Sequence, residues 1–208
     1  MPNPPSDVAF TPAVKAVQER KGSRAGYARM ERGRGWRTAV TPELAEFLAG
    51  LDMFYLGTAT ADGQPYIQYR GGPPGFLKVI DDHTLGFADF GGNRQYVTLG
   101  NLTENPKAFI FLMDYANGRR VKLWGTARVV EDDPELVGRL NDPGYPAAAE
   151  RAILFRVAAW DINCPQHIHR RLSERQVMPV IEALQERVRK LEAELAEAGE
   201  RARGTLRT

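Results

Sequence analysis

Residues 87–106 read FADFGGNRQYVTLGNLTENP, and the order of residue types in this stretch indicates a strand, a turn and a helix. A short apolar run ends at Asp89-Phe90, and two glycines, Gly91-Gly92, can adopt positive φ and leave room for a ligand. Asn93-Arg94-Gln95 then supply amide and guanidinium donors at what we expect to be a helix N-terminus, where free N–H groups and the helix dipole favour an anion. The stretch therefore predicts either a phosphate-binding turn or an ordinary strand-to-helix connection with a surface arginine.

The composition indicates a soluble, globular protein of one domain with appendages. The chain has 208 residues, of which 43% are hydrophobic and 26% are charged. No apolar run reaches the roughly 20 residues that span a bilayer, and the first residues lack the pattern of a secretory signal. A single cysteine, Cys164, excludes an intrachain disulfide framework and fits a reducing compartment. We therefore expect a cytoplasmic protein that does not enter a membrane.

Basic residues are concentrated near the N-terminus. Residues 15–37 contain eight Lys or Arg and two Glu, although the net charge of the chain is only +2. Such a segment can bind nucleic acid, or it can form a solvated helix near an anionic cofactor. No nucleic-acid recognition motif or series of stacking aromatics accompanies the charge, so nucleic acid is not the expected partner.

The remaining pattern predicts a mainly β, α+β fold with an antiparallel barrel and flanking helices. Turn signals at 61–64 and Asn117-Gly118 predict hairpins, and helix starts are expected at Thr41-Pro42 and Asp133-Pro134. The continuously apolar run 108–113 predicts a strand that is buried on both faces. Seven short segments are predicted as strands of a closed barrel: 53–60, 65–69, 76–80, 84–88, 108–113, 120–130 and 153–160.

Near the C-terminus the pattern changes to a heptad repeat. Apolar residues alternate at spacings of four and three for about three heptads, at Val177, Ile181, Leu184, Val188, Leu191, Leu195 and Ala198. This helix would pair with itself, with another protein or with its own barrel. We therefore divide the chain into a partly helical, basic N-terminal arm (1–40), a barrel (41–172) and a C-terminal heptad helix (173–208).

Several short blocks occur in an order that resembles the pyridoxamine 5'-phosphate oxidase-like family of FMN-binding split barrels. The resemblance covers about 42–130 and weakens towards residue 171. Cys164-Pro165-Gln166-His167 is similar to a subgroup of that family outside the vitamin-synthesising enzymes. The other blocks are Leu56-Gly57-Thr58-Ala59, Asp62-Gly63, Gln68-Tyr69-Arg70-Gly71-Gly72, Phe87-Ala88-Asp89, Asn93-Arg94-Gln95, Asn101-Leu102, Asn105-Pro106 and 120–127.

The resemblance implies a homodimer that binds FMN non-covalently at its interface. It places Arg70 on a strand that meets the flavin and its phosphate, Arg94 on the phosphate, and Arg120 and Lys122 near the flavin edge. A cation there would stabilise reduced, anionic flavin. The cofactor-binding residues that it implies are Gln68, Arg70, Gly72, Asp89, Phe90, Asn93, Arg94, Gln95, Arg120, Lys122, Gln166 and His167.

The chain also departs from the family pattern. An insertion follows Arg70 at 71–75, and the C-terminal Arg-x-His pattern that holds pyridoxamine phosphate is not evident, so oxidation of that substrate is not expected. No catalytic residue is assigned, although His167 has a suitable pKa range for an acid or base, and the spacing of His167 and His169 does not suit a metal site.

The sequence leaves three functions open. The leading one is an FMN-dependent oxidoreductase of an unidentified small molecule, with NAD(P)H as a candidate electron donor. The others are a non-catalytic flavin-binding or sensing module whose heptad helix engages another protein, and a split barrel that uses a deazaflavin or haem.

Overall fold

The computed structural model describes residues 3–162 and 164–205, and the side chains of residues 3–162 and 164–199. Its described residues form two compact units, one within 1–114 and 119–167 and the other within 115–118 and 168–208. The strands are β1 (Met53–Ala59), β2 (Pro65–Gly71), β3 (Lys78–Asp81), β4 (Thr84–Phe90), β5 (Lys107–Asp114), β6 (Arg119–Val130) and β7 (Ala149–Ile162). The helices are α1 (Pro12–Arg20), α2 (Arg24–Arg32), α3 (Pro42–Ala49), α4 (Val97–Glu104), α5 (Pro134–Leu140) and α6 (Glu174–Thr205), after a short 3-10 turn at Pro5–Val8.

The seven strands form one antiparallel sheet in the order β2-β1-β5-β6-β7-β4-β3. This architecture, with flanking helices and a long C-terminal helix, confirms the predicted split barrel. No backbone ladder joins β2 to β3 or β4 among the described residues, so the barrel is open along that line and not closed as the strand pattern predicted. A side-chain ion pair crosses the opening instead, because Arg70 on β2 reaches Asp89 on β4.

The core lies inside the curved sheet and follows the alternation of each strand. The side chains of Phe54, Leu56, Leu85, Ile110 and Leu112 are completely buried. Helix α3 covers one end of this cluster with three further buried residues, and each buried apolar side chain contributes about 1.5–3 kcal/mol by leaving water. Thr41 caps α3 as the sequence predicted, because its hydroxyl accepts a hydrogen bond from the N–H of Leu44 at 3.4 Å.

The prediction for 108–113 is wrong in one respect, since β5 is buried on one face only. Ile110 and Leu112 face the core, whereas Phe109 and Phe111 are half-buried on the outer face of the sheet. Phe109 packs edge-on against Trp124 of the neighbouring strand, with ring centroids 5.1 Å apart. The prediction failed because a run of apolar residues does not show whether an aromatic side chain on the outer face is fully or only partly covered.

A β-bulge at Trp124/Gly125 shifts the register between β6 and β7. A Cβ at Gly125 would lie 2.0 Å from the carbonyl oxygen of Arg156 and 2.8 Å from the ring of Phe155. Only glycine allows this approach of the two strands, so the bulge depends on that residue.

The N-terminal arm packs on the outer face of β6 through aromatic rings. Trp36 stacks on Trp124 with centroids 4.5 Å apart and an interplanar angle of 19°. Phe10 contacts Trp36 at 5.0 Å and Tyr27 at 5.2 Å, which joins the first residues of the arm to α2. The basic arm is therefore an ordered part of its compact unit.

The second unit contains the turn 115–118, the segment that begins at residue 168 and the helix α6 that follows it. Within it the guanidinium of Arg171 lies over the ring of Tyr115, 5.1 Å from the centroid. The heptad segment forms a single helix, Glu174–Thr205. None of the described helices is both long and apolar enough to span a bilayer.

Candidate functional site

An open cleft of about 450 Å³, solvent space included, lies where β2 and β4 approach across the opening of the barrel. Its walls are β2, the end of β4, the loop before α4, the first turn of α4 and the start of β7. Seven of the residues that the family resemblance implied line this one cleft: Gln68, Arg70, Asp89, Phe90, Asn93, Arg94 and Gln95.

A buried carboxylate organises the cations of the cleft. Asp89 pairs with Arg70, and its Oδ2 accepts a hydrogen bond from Arg151 at 3.1 Å. Arg151 also donates to Glu150 at 2.7 Å and to Glu131 at 2.9 Å. Burial opposes the charge of Arg151, but the hydrogen bonds to Asp89 and Glu131 outweigh it and raise the pKa of the guanidinium. Two of the three cleft arginines are therefore already matched by carboxylates.

The loop before α4 has a left-handed backbone at two residues that are not glycine. Arg94 has φ 58° and Tyr96 has φ 54°, each a conformation that costs of order 1–3 kcal/mol. The helix begins at Val97, so the prediction that the 93–95 segment forms the helix N-terminus is wrong by about half a turn. Neither glycine of Gly91-Gly92 has a positive φ, and a Cβ at the first would lie 2.9 Å from the carboxylate of Glu150.

The cleft contains three sets of unpaired donors. The exposed Arg94 side chain makes no ion pair or hydrogen bond with the part of the chain that the structure describes. The Nε of Arg70 is buried and has no hydrogen-bond partner among the described residues. Among the described residues, no side chain caps the first turn of α4, and residues 97–99 of that turn line the cleft. A guanidinium, a second guanidinium N–H and a helix N-terminus together suit a phosphate group.

The amide of Gln68 is oriented by its neighbours. Its Oε1 accepts hydrogen bonds from the hydroxyl of Thr98 at 2.8 Å and from that of Tyr66 at 3.4 Å. The amide NH2 of Gln68 is then the free end that can donate to a ligand. Asn101 of α4 donates to the hydroxyl of Thr58 on β1 at 3.0 Å, and this contact fixes the helix against the sheet.

Sequence reasoning missed Arg151, Glu150 and Thr98 as members of this site. Arg151 lies opposite Asp89 in the β4–β7 ladder. Arg151 follows Glu150 and precedes the apolar run 152–155 at the start of the last strand, but this pattern does not identify its partner. Among the described residues, no group of three His, Cys, Asp or Glu side chains is placed to hold a metal ion.

Arg120 and Lys122, which the family resemblance places near the flavin edge, lie on β6 and do not line this cleft. Lys122 lines a second cavity, together with Trp124 and Asp161, beneath the N-terminal arm. Burial and the nearby charge of Arg120 lower the pKa of Lys122, while burial raises the pKa of Asp161. Within the described part of the chain, the buried Nε of Arg120 has no hydrogen-bond partner.

The remaining implied residues also lie outside the set that lines the cleft. A Cβ at Gly72 would lie 2.6 Å from the ring of Phe76, so this glycine permits a close packing contact. Gln166 and His167 are exposed in the segment after β7, and His167 has a left-handed φ of 62°. Residue 163, just before them, is not among the described residues.

The sequence matches a family model described as pyridoxamine 5'-phosphate oxidase over residues 40–164. Several solved structures are similar. HupZ from Group A Streptococcus shares 17% identity and a TM-score of 0.49, with 64% of this chain and 99% of that chain covered. A putative pyridoxamine 5'-phosphate oxidase from Lactobacillus delbrueckii shares 21% identity and a TM-score of 0.47, with 60% and 95% covered. An FMN-binding protein from Syntrophomonas wolfei shares 16% identity and a TM-score of 0.46, with 70% and 97% covered. No curated protein matches the chain.

Proposed function

Because the chain belongs to the pyridoxamine 5'-phosphate oxidase family, we propose that it is an FMN-dependent oxidoreductase that acts on a small molecule as a homodimer. The observation that supports this proposal most directly is the set of unpaired donors in the cleft, namely Arg94, the Nε of Arg70 and the first turn of α4. These groups suit a phosphate monoester, and FMN carries one.

The charge of the cleft also favours a dianion. Three lining arginines face two lining carboxylates, Asp89 and Glu150, which leaves an excess of one positive charge before the helix dipole is counted. Arg70 and Arg151 are held by Asp89, so their guanidinium groups are positioned before a ligand arrives. Among the described cleft residues, Arg94 is then the arginine without a carboxylate partner, and it can close on the phosphate.

Support for the homodimer comes from the outer face of the sheet. Tyr69 pairs with Tyr55, and Tyr55 pairs with Phe111, so three aromatic residues lie side by side across β2, β1 and β5. Tyr69 is 59% exposed and the neighbouring Ile67 is 69% exposed. A continuous apolar patch of this kind marks an interaction surface, and we assign it to a second copy of the chain.

FMN, when bound, would supply the hydride and electron chemistry of the reaction. The chain's own residues would bind and orient the cofactor through Arg94, Arg70 and the amide of Gln68. Oxidation of pyridoxamine phosphate itself is not proposed, because the C-terminal Arg-x-His pattern is not evident in the sequence.

Titration of the purified protein with FMN and with riboflavin tests the phosphate contact. Arg94→Ala should weaken FMN binding about tenfold or more, given about 1.5–3 kcal/mol for a hydrogen bond to a charged group. Riboflavin affinity should stay the same, because riboflavin lacks the phosphate. Arg139→Ala, on the exposed side of α5, is the matched control and should leave both affinities unchanged. Equal losses for FMN and riboflavin, or no loss for either, would refute the assignment.

Reduction experiments separate the oxidoreductase from a sensing module. The FMN-loaded protein, mixed with NADH or NADPH without oxygen, should lose its absorbance near 450 nm, about the usual flavin band. A loaded protein that no small-molecule donor reduces would favour the module. Preferential binding of a deazaflavin or haem in the same titration would exclude FMN as the cofactor.

A further inference from the structure

One face of α6 has the spacing and the residue types of a two-stranded coiled coil. Its apolar side chains are between 38% and 74% exposed, although they are large and hydrophobic. They follow one another at steps of three and four, namely Ile181, Leu184, Val188, Leu191 and Leu195. Side chains at these spacings lie along one narrow stripe of a helix, which is the stripe that a partner helix covers.

We propose that α6 pairs in parallel and in register with α6 of a second copy of this chain. In the heptad notation Ile181, Val188 and Leu195 occupy a positions, the first two of them β-branched, whereas Leu184 and Leu191 occupy d positions. A β-branched residue at a with leucine at d favours two parallel strands over three or four.

The charges beside the seam are complementary in this parallel arrangement. Arg187 occupies a g position and Glu192 the following e position. In a parallel pair these positions meet, so Arg187 faces Glu192 of the partner subunit, and the two-fold symmetry forms this contact twice.

Pro179 sets the beginning of the paired segment. It lies inside α6, where proline cannot donate a backbone hydrogen bond, and the exposed series described above begins two residues later at Ile181. From there to Leu195 the seam covers about two heptads, a length that is marginal for isolated helices. Pairing therefore rests on the homodimer proposed above, which would hold the two helices at a high effective concentration.

Cysteine cross-linking in the full-length chain tests the pairing. Cys164 is the single cysteine and is exposed, so the variants are made with Cys164→Ser. In a parallel pair identical d positions face each other, so Leu184→Cys and Leu191→Cys should each give a disulfide-linked dimer under mild oxidation. Ala193→Cys, on the opposite face of the helix, is the matched control and should stay monomeric on a non-reducing gel.

Each result of this experiment is decisive. Dimers from both d-position variants, with little from Ala193→Cys, support the parallel pair. Dimers from only one d-position variant, from neither, or equally from the control overturn it. Light scattering of the same samples separates the two proposals, because a dimeric mass without cross-linking refutes the helix pairing alone, whereas a monomeric mass refutes the homodimer as well.

A charge exchange provides a second, independent readout. Arg187→Glu places two acidic residues against each other and should lower the cross-linked fraction of the Leu191→Cys protein several-fold. Adding Glu192→Arg to the same chain restores opposite charges and should recover the cross-linking. A fraction that neither change affects would contradict the assigned register.

Discussion

Asp89→Asn is the substitution that most directly tests how the barrel opening is held together. Asp89 is 4% exposed and is shared by two guanidinium groups, those of Arg70 and Arg151, whose side chains are 12% and 11% exposed. The amide keeps the shape of the carboxylate but removes its charge, so both arginines lose their common anion in a region with little water.

The expected loss follows from this burial. Removing one partner of a buried ion pair costs about 3–5 kcal/mol, because the remaining charge is left uncompensated. For a chain of this size that loss corresponds to a fall in Tm of about 6–20 °C. Glu131→Gln is the matched control. It also removes an acceptor of Arg151, at 2.9 Å, but its side chain is 65% exposed, so the expected loss is about 1 kcal/mol or less.

The assay is urea unfolding followed by the fluorescence of the three tryptophans. Added phosphate should stabilise Asp89→Asn more than the parent, because the two arginines gain an anion that replaces the lost one. Sodium chloride at equal ionic strength controls for screening. A loss below about 1 kcal/mol for Asp89→Asn, or equal losses for the variant and the control, would refute the view that this buried pair closes the barrel.

Three further predictions concern the packing and the titration of the same unit. Gly125→Ala should cost about 3 kcal/mol or more in urea unfolding, since its Cβ would meet the Arg156 carbonyl at 2.0 Å; a loss near zero would contradict the close approach of β6 and β7 at the bulge. Trp36→Ala should destabilise the docked arm by about 3–5 kcal/mol and speed tryptic cleavage within 15–37; unchanged cleavage would show that its stack with Trp124 does not hold the arm. Burial raises the pKa of Asp161 in the folded state, so this group contributes stability below the unfolded value of 3.8 that is lost as the pH rises through the folded pKa. Asp161→Asn should therefore raise Tm at pH 7, with the gain disappearing at low pH, and an equal gain at both pH values would exclude titration as the cause.

Much of the fold could be predicted because its signals are local. The alternation of apolar residues located the strands, and the side chain of Asp133 caps α5 as expected, accepting from the N–H of Leu136 at 2.8 Å. Turn residues behaved similarly, with Gly118 at a left-handed φ of 64° in the predicted β5–β6 turn. These features depend on a few adjacent residues, so a sequence contains most of the information that determines them.

The composition of the cleft was harder to predict because it depends on contacts between distant segments. Arg151 meets Asp89 only through the pairing of β4 with β7, and the two residues are 62 positions apart in the chain. Arg94 and Tyr96 have the left-handed backbone, although Gly91 and Gly92 just before them could adopt it at no steric cost. The ring of Tyr96 also contacts the guanidinium of Arg151, 5.5 Å from its centroid, and a local sequence pattern contains no information on such a contact.

Between β2 and β4 the barrel is held by an ion pair between side chains, Arg70 and Asp89, and not by backbone hydrogen bonds. A backbone ladder would hold these strands together whatever the cleft contains, whereas side-chain charges respond to every anion that comes near them. Occupancy of the cleft and solvent access to the β2 amides should then be coupled thermodynamically, so that slower hydrogen exchange along Pro65–Gly71 reports a bound phosphate. The exchange rate of the β2 amides would then depend on whether an anion occupies the cleft.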